Sequence, residues 1–180
     1  MSTHRLAAGL GALMLGAAAP GTLTAQAGPG LGVELSAEQI AAWDINIAPD
    51  GTGLPPGSGD ARTGAEVYAL KCVACHAVEE EGGLNDRLTG GHGSLAGSAP
   101  VRTVGSYWPY ATTIFDYIRR AMPFTSPQSL TDDETYALTA YLLQLNGIIG
   151  EDDVMDATTL PSVEMPNRDG FVLAYPPAGQ

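Results

Sequence analysis

The sequence predicts an all-α domain carried between two irregular arms, and three observations lead there. Apolar residues recur at helical spacing in three stretches, near residues 60–72, 111–121 and 131–145. The last of these opens on a capping box, Thr131 with Glu134. The chain is rich in Gly and Pro, 23 and 13 of its 180 residues, and all but Gly64 lie outside the three stretches, which suits loops and extended wrapping better than further regular elements.

Taken in order, the chain starts with a weakly basic pair, His4 and Arg5, followed by the uncharged run 6–19 and the break at Pro20. Ala25-Gln26-Ala27 then supplies a small-x-small cleavage pattern, so residues 1–27 read as a secretory signal peptide cut after Ala27. The alternative is an uncleaved anchor, but 14 apolar residues fall short of the ~20 that a spanning helix needs. No later stretch could span a membrane, so the expectation is an exported, periplasmic chain with no span after cleavage.

Residues 28–59 form an arm. Ser36 with Gln39 resembles a capping box, so a short helix is expected over Ser36–Trp43. The run from Pro49 to Gly59 has turn and linker chemistry. The domain proper is placed at 60–149. Its first helix starts at Asp60, with Gly64, Tyr68 and Cys72 on one face and Val67 and Leu70 assigned to the same face. Gly64 would be costly in a helix by about 1 kcal/mol relative to Ala, which suggests a close contact with an aromatic such as Tyr141 where the first and last helices cross.

Residues 79–106 lack periodicity and read as one long loop, acceptable if it wraps a large ligand. The second helix is expected at Ala111–Ala121, with Ile114, Phe115, Ile118 and Ala121 as its stripe and Met122-Pro123 as its stop. The third runs from its capping box to Leu145, with Leu138, Tyr141, Leu142 and Leu145 inward and Asn146-Gly147 as terminator. Residues 150–180 carry four prolines and read as an irregular tail lying on the domain.

Net charge is −12, and −13 once residues 1–27 and Arg5 are removed. This excludes nucleic acid as a partner, because phosphate binding needs a basic face. An acidic surface is equally compatible with simple solvation and with steering toward a basic partner.

The chemistry lies in Cys72-Val73-Ala74-Cys75-His76, the pattern of covalent haem c attachment. Two thiols one turn apart can add to the two vinyl groups, and the following His76 then supplies a proximal nitrogen to the iron. A disulfide across two residues would close too small a loop to staple a fold. A zinc site would need two more ligands, and only His4 and His92 remain. A redox dithiol would want a βαβ frame. One motif means one haem.

Four residues could be the second axial ligand: Met122, Met155, Met165 and His92. Met122 is favoured, because it closes a helix, precedes a stiff Pro123 and lies 46 residues beyond His76. Core packing is the alternative use of any single methionine, and His92 sits in a glycine turn that suits a surface or propionate contact. A thioether ligand raises the reduction potential relative to a second histidine. Tyr107 and Trp108, with Tyr110, could wall the haem, and Arg102 could pair with a propionate; a core aromatic cluster and a solvated Arg are the alternatives.

Gly64, Tyr68, the Cys72–His76 motif, Met122-Pro123 and the capped last helix with Tyr141 resemble class I cytochrome c over about residues 60–146. The resemblance implies crossed terminal helices around one haem. Further runs, Ala48–Gly59, Thr103–Thr112, Phe115–Phe124 and Met165–Phe171, are similar to the cytochrome subunit of the periplasmic sulfur dehydrogenase of the Sox sulfur-oxidation system, in a shorter, single-haem form. In the full-length family members a second haem domain follows.

That narrower resemblance implies a molybdenum-containing partner subunit that oxidises sulfite or sulfane sulfur, with a downstream cytochrome or oxidase as electron acceptor. The arms are then expected to wrap the domain and to contribute to the partner interface. A free soluble shuttle is the alternative. A haem sensor or enzyme would need an open iron position. No acid–base pair or nucleophile constellation suggests catalysis by the chain alone.

Overall fold

The computed structural model describes residues 30–78, 82–172 and 174–175. The signal-peptide reading of residues 1–27 lies outside them. The chain divides into Met1–Ser36 and Ala37–Gln180, and the second unit carries everything described below. Its described elements are α1 (Ala37–Ala41), β1 (Ser58–Asp60), α2 (Ala61–Lys71), α3 (Val73–His76), α4 (Ala111–Ala121), α5 (Asp132–Leu145) and β2 (Val154–Asp156), with 3-10 turns at Ser94–Ala96 and Leu160–Ser162.

Each long helix begins and ends for a local reason. Asp60 caps α2 by accepting from the Thr63 amide at 2.7 Å, and these bonds hold its carboxyl below the usual range. Thr131 and Glu134 form the full reciprocal box at the start of α5, at 3.1 and 3.0 Å. Beyond α5, Gly147 takes a left-handed φ of 67° and its amide returns to the Gln144 carbonyl.

The core forms where α5 meets α2 and α4. Phe115 and Tyr136 are fully buried with ring centroids 4.5 Å apart. Burial pushes the Tyr136 phenol up to about 12, so it stays a donor, and it donates to the Pro55 carbonyl at 2.9 Å. The helices α2 and α5 cross at Gly64. A Cβ there would strike the Ala137 carbonyl and lie 2.6 Å from the Tyr141 Cβ. The expected contact with Tyr141 is therefore present, with the Ala137 backbone as the tighter neighbour. Lys71 and Glu134, 2.6 Å apart, tie the end of α2 to the start of α5. Arg119 and Asp132 do the same for α4 and α5 at 3.1 Å.

The arms are more ordered than the sequence suggests. β1 and β2 pair antiparallel, with Ser58 opposite Asp156, Gly59 opposite Met155 and Asp60 opposite Val154. The all-α expectation thus gains a two-stranded ribbon that joins both arms over α5. Three-residue strands reading Ser-Gly-Asp and Val-Met-Asp carry no alternating pattern, so periodicity could not find them. Gly59 is needed because a Cβ would strike the Ala137 amide nitrogen.

The N-terminal arm is held by Arg120, which donates to the Ile45 carbonyl at 3.3 Å and Asn46 Oδ1 at 3.2 Å. Farther along, Thr112 bonds the Pro49 carbonyl, and Asp133 accepts from the Ser58 amide. The tail contributes Met155, Leu160 and Met165 to the core, so it is a structural part of the domain and more than a covering strip. The helix expected over Ser36–Trp43 forms as the shorter α1.

Two inward assignments are corrected. Leu70 is 84% exposed, because it lies about 200° around α2 from Tyr68. Leu145 is 38% exposed at the last residue of α5. Conversely, Thr135 and Thr139 are fully buried, their hydroxyls satisfied by the carbonyls one turn back at 2.9 and 2.7 Å.

Candidate haem site

The turn that carries the cysteines grows directly out of α2. The Cys72 amide still bonds the Tyr68 carbonyl, but its φ of −123° breaks the helix, and α3 restarts at Val73. The amides of Cys75 and His76 both return to the Cys72 carbonyl at 3.1 Å. Both thiols and the imidazole are thereby fixed on one turn, all three half-buried. The cysteines are not joined in a disulfide. Among the described residues no group of three or more His, Cys, Asp and Glu could hold a metal ion by itself.

His76 is oriented for ligation. Its Nδ1 lies 2.9 Å from the Asp86 carbonyl. A carbonyl only accepts, so Nδ1 carries the proton and Nε2 keeps its lone pair for a metal. This hydrogen bond, with thiols four residues and one residue before His76, would suit a haem attached through Cys72 and Cys75 and ligated at Nε2.

The four candidate distal ligands separate by environment. Met155 and Met165 are buried in the protein core, at 4% and 3% exposure. His92 Nε2 lies 3.0 Å from the Asn146 carbonyl and serves to anchor the loop. Met122 is half-buried at the end of α4, its amide bonded to the Ile118 carbonyl. It packs against the core, as Cys72, Val73, Leu88 and Trp108 also do.

The other sequence candidates divide. Trp108 also packs against the core, its ring 5.7 Å from that of Tyr117. Tyr107 is more exposed. Arg102 stacks over its ring at 5.6 Å, and Phe171 of the tail meets it edge-on at 5.3 Å. Arg168 covers the Tyr110 ring at 5.0 Å. Arg102 and Tyr107 therefore engage each other and the tail.

Two residues of the site were missed. Asn146, read only as a helix stop, is buried and pins the long loop: it accepts from the Gly90 amide and donates to the Leu88 and Leu142 carbonyls. Its buried side chain follows from the loop's need for partners, which no local pattern announces. Asp86 acts through its carbonyl, so its side chain gives no signal at all.

Residues 61–146 match the cytochrome c family model. A chain in the crystal structure of the sulfane dehydrogenase SoxCD from Paracoccus pantotrophus is 48% identical, with a TM-score of 0.75, over 80% of this chain and 71% of that one. That coverage extends beyond residues 61–146 and so takes in parts of the arms. A thiosulfate dehydrogenase of Psychrobacter arcticus is 28% identical over 108 residues, 56% of this chain and 32% of its own length. The chain thus spans about a third of that curated relative.

Proposed function

Because this chain belongs to the cytochrome c family, we propose that it is the periplasmic, single-haem electron-transfer subunit of a molybdenum-containing dehydrogenase acting on sulfite or sulfane sulfur. The observation that carries this reading is the 48% identity with a SoxCD chain over a span larger than the haem domain. A small soluble shuttle needs only the helices around its haem. Here the matched segment also includes arm residues.

When bound, the haem supplies a one-electron couple. Cys72 and Cys75 hold it through thioethers on one turn. His76 offers Nε2 while Asp86 holds Nδ1–H. Met122 offers a thioether from the end of α4, and a soft sulfur favours the reduced form. Trp108, Leu88 and Val73 are partly buried apolar side chains packed against the same core as Met122. Such a site accepts single electrons from a partner and passes them to a downstream cytochrome or oxidase.

Export to the periplasm follows from the leader ending at Ala27 and agrees with haem attachment outside the cytoplasm. No helix among the described residues is long and apolar enough to cross a membrane. Exposed apolar side chains near the outer parts of the arms, Trp43 at 84% and Tyr175 at 94%, offer contact to the molybdenum subunit. Cutting away residues 150–180 would open the core at Met155, Leu160 and Met165, so substitutions are the sound probe of this contact.

The test is co-purification after coexpression with a molybdenum-containing sulfur dehydrogenase subunit. A stoichiometric complex, weakened by Trp43→Ser and Tyr175→Ser, is the expected result. A chain that elutes alone and is reduced only by other cytochromes would favour the free shuttle instead.

A further inference from the structure

We propose that the Tyr68 hydroxyl is a positioning group for His76, one that tunes the reduction potential of the site by fixing the turn onto which the segment presenting the Asp86 carbonyl is bonded. The inference rests on His76 being the proximal ligand and deepens that reading.

The packing role of Tyr68 needs only its ring. The ring sits against Tyr141 of α5 at 5.4 Å, beside the Gly64 crossing, and the residue is 4% exposed. A phenylalanine would fill the same space. The hydroxyl is a further polar group at a buried position, and such a group requires a partner. It donates to the Ala77 carbonyl at 2.8 Å.

Ala77 is the hinge of the motif. It follows His76 directly and takes φ 65° and ψ 175°, a positive-φ conformation that its Cβ disfavours. Two bonds hold it there: its amide to the Val73 carbonyl at 2.9 Å, and its carbonyl to Tyr68. Two amides of the segment 82–85 bond back to this turn. The Gly82 amide bonds the His76 carbonyl at 3.3 Å, and the Asn85 amide bonds the Cys75 carbonyl at 3.0 Å. The next residue is Asp86, whose carbonyl accepts from His76 Nδ1.

Tyr68 thus holds the end of the turn at Ala77, while the Cys75 and His76 carbonyls of the same turn hold Gly82 and Asn85, the segment that presents the Asp86 carbonyl to the imidazole. A hydrogen bond at Nδ1 makes imidazole a stronger donor and fixes its plane. Stronger donation favours the oxidised site. Loss of the Tyr68 hydroxyl loosens the hinge, weakens the Asp86 contact and raises the potential.

The test uses the haem-loaded protein. Tyr68→Phe is expected to raise the midpoint potential and alter the ferric electron-spin-resonance spectrum. Replacing Tyr68 with 3-fluorotyrosine keeps the shape and strengthens the donor, so it is expected to move the potential the opposite way. It decides alone if the Phe variant fails to fold. Unchanged potentials, or shifts of the same sign in both, would overturn the proposal even if thermal stability fell. Imidazole nitrogen coupling in the wild-type spectrum keeps the two readings apart. Its absence would sink the assignment of His76 itself, whereas its presence with unmoved potentials would sink only the role of Tyr68.

Discussion

Replacing Gly64 by Ala tests the helix crossing with a sign as well as a size. On an exposed helix face this change stabilises by about 1 kcal/mol, because Ala is the better helix former. At Gly64 the added Cβ meets the Ala137 carbonyl and the Tyr141 Cβ, the latter at 2.6 Å, well inside ordinary carbon–carbon contact near 3.5–4.0 Å. The Ala137 atoms are backbone and cannot rotate away, so α2 and α5 must separate. Overpacking of this kind costs roughly 1–3 kcal/mol and occasionally more, and a backbone neighbour places it at the upper end. After subtracting the helix-propensity gain the net loss is about 2 kcal/mol. For a chain of this size that lowers Tm by roughly 4–8 °C. Thermal unfolding of the haem-loaded protein followed by circular dichroism is the assay. A Tm equal to or above that of the wild type would refute the reasoning, since only an open position allows Ala to stabilise.

Three further outcomes are expected. Met122→Ala should abolish the weak far-red ferric band of methionine ligation and lower the midpoint potential; retention of the band would return the ligand search to the other candidates. Arg120→Ala removes the donors to Ile45 and Asn46 and should speed proteolysis near residues 45–46 with a stability loss of about 1 kcal/mol; unchanged cleavage would show that the clasp does not secure the arm. Acidification should weaken the α2–α5 tie. The Lys71 ammonium, then the Thr131 amide, hold the Glu134 carboxyl below the usual glutamate range, so its contribution is present above that range and is lost as pH falls through the lowered value. The Tm gap between wild type and Glu134→Gln should therefore close in acid, and a gap constant with pH would contradict the pairing.

The features legible in the sequence are those whose cause is local. The Thr131–Glu134 box, the stop at Gly147 and the bounds of α4 follow from residues a few positions apart, and the structure reproduces them. The Cys72–His76 motif is legible for the same reason, since its spacing alone puts two thiols and an imidazole on one turn. What stayed hidden depends on distant partners. The β1–β2 ribbon pairs residues nearly a hundred positions apart through strands too short to show alternation. Asn146 is buried because a loop 56 to 58 residues earlier needs its side chain. Met155 and Met165 looked like free candidates until the tail proved to be part of the core. Thr135 and Thr139 read as polar, yet each satisfies its own hydroxyl within the helix and can be buried. The hydroxyl of Tyr68 was likewise visible as a residue and silent as a bond.

The most direct measurement is rapid mixing of the oxidised, haem-loaded chain with the molybdenum subunit, with and without its sulfur substrate, while the haem absorbance is followed. The account predicts that the haem is reduced, one electron per chain, only when subunit and substrate are both present. A haem that stays oxidised under those conditions, while a chemical reductant still reduces it, would contradict the assignment of this chain as the dehydrogenase's electron acceptor.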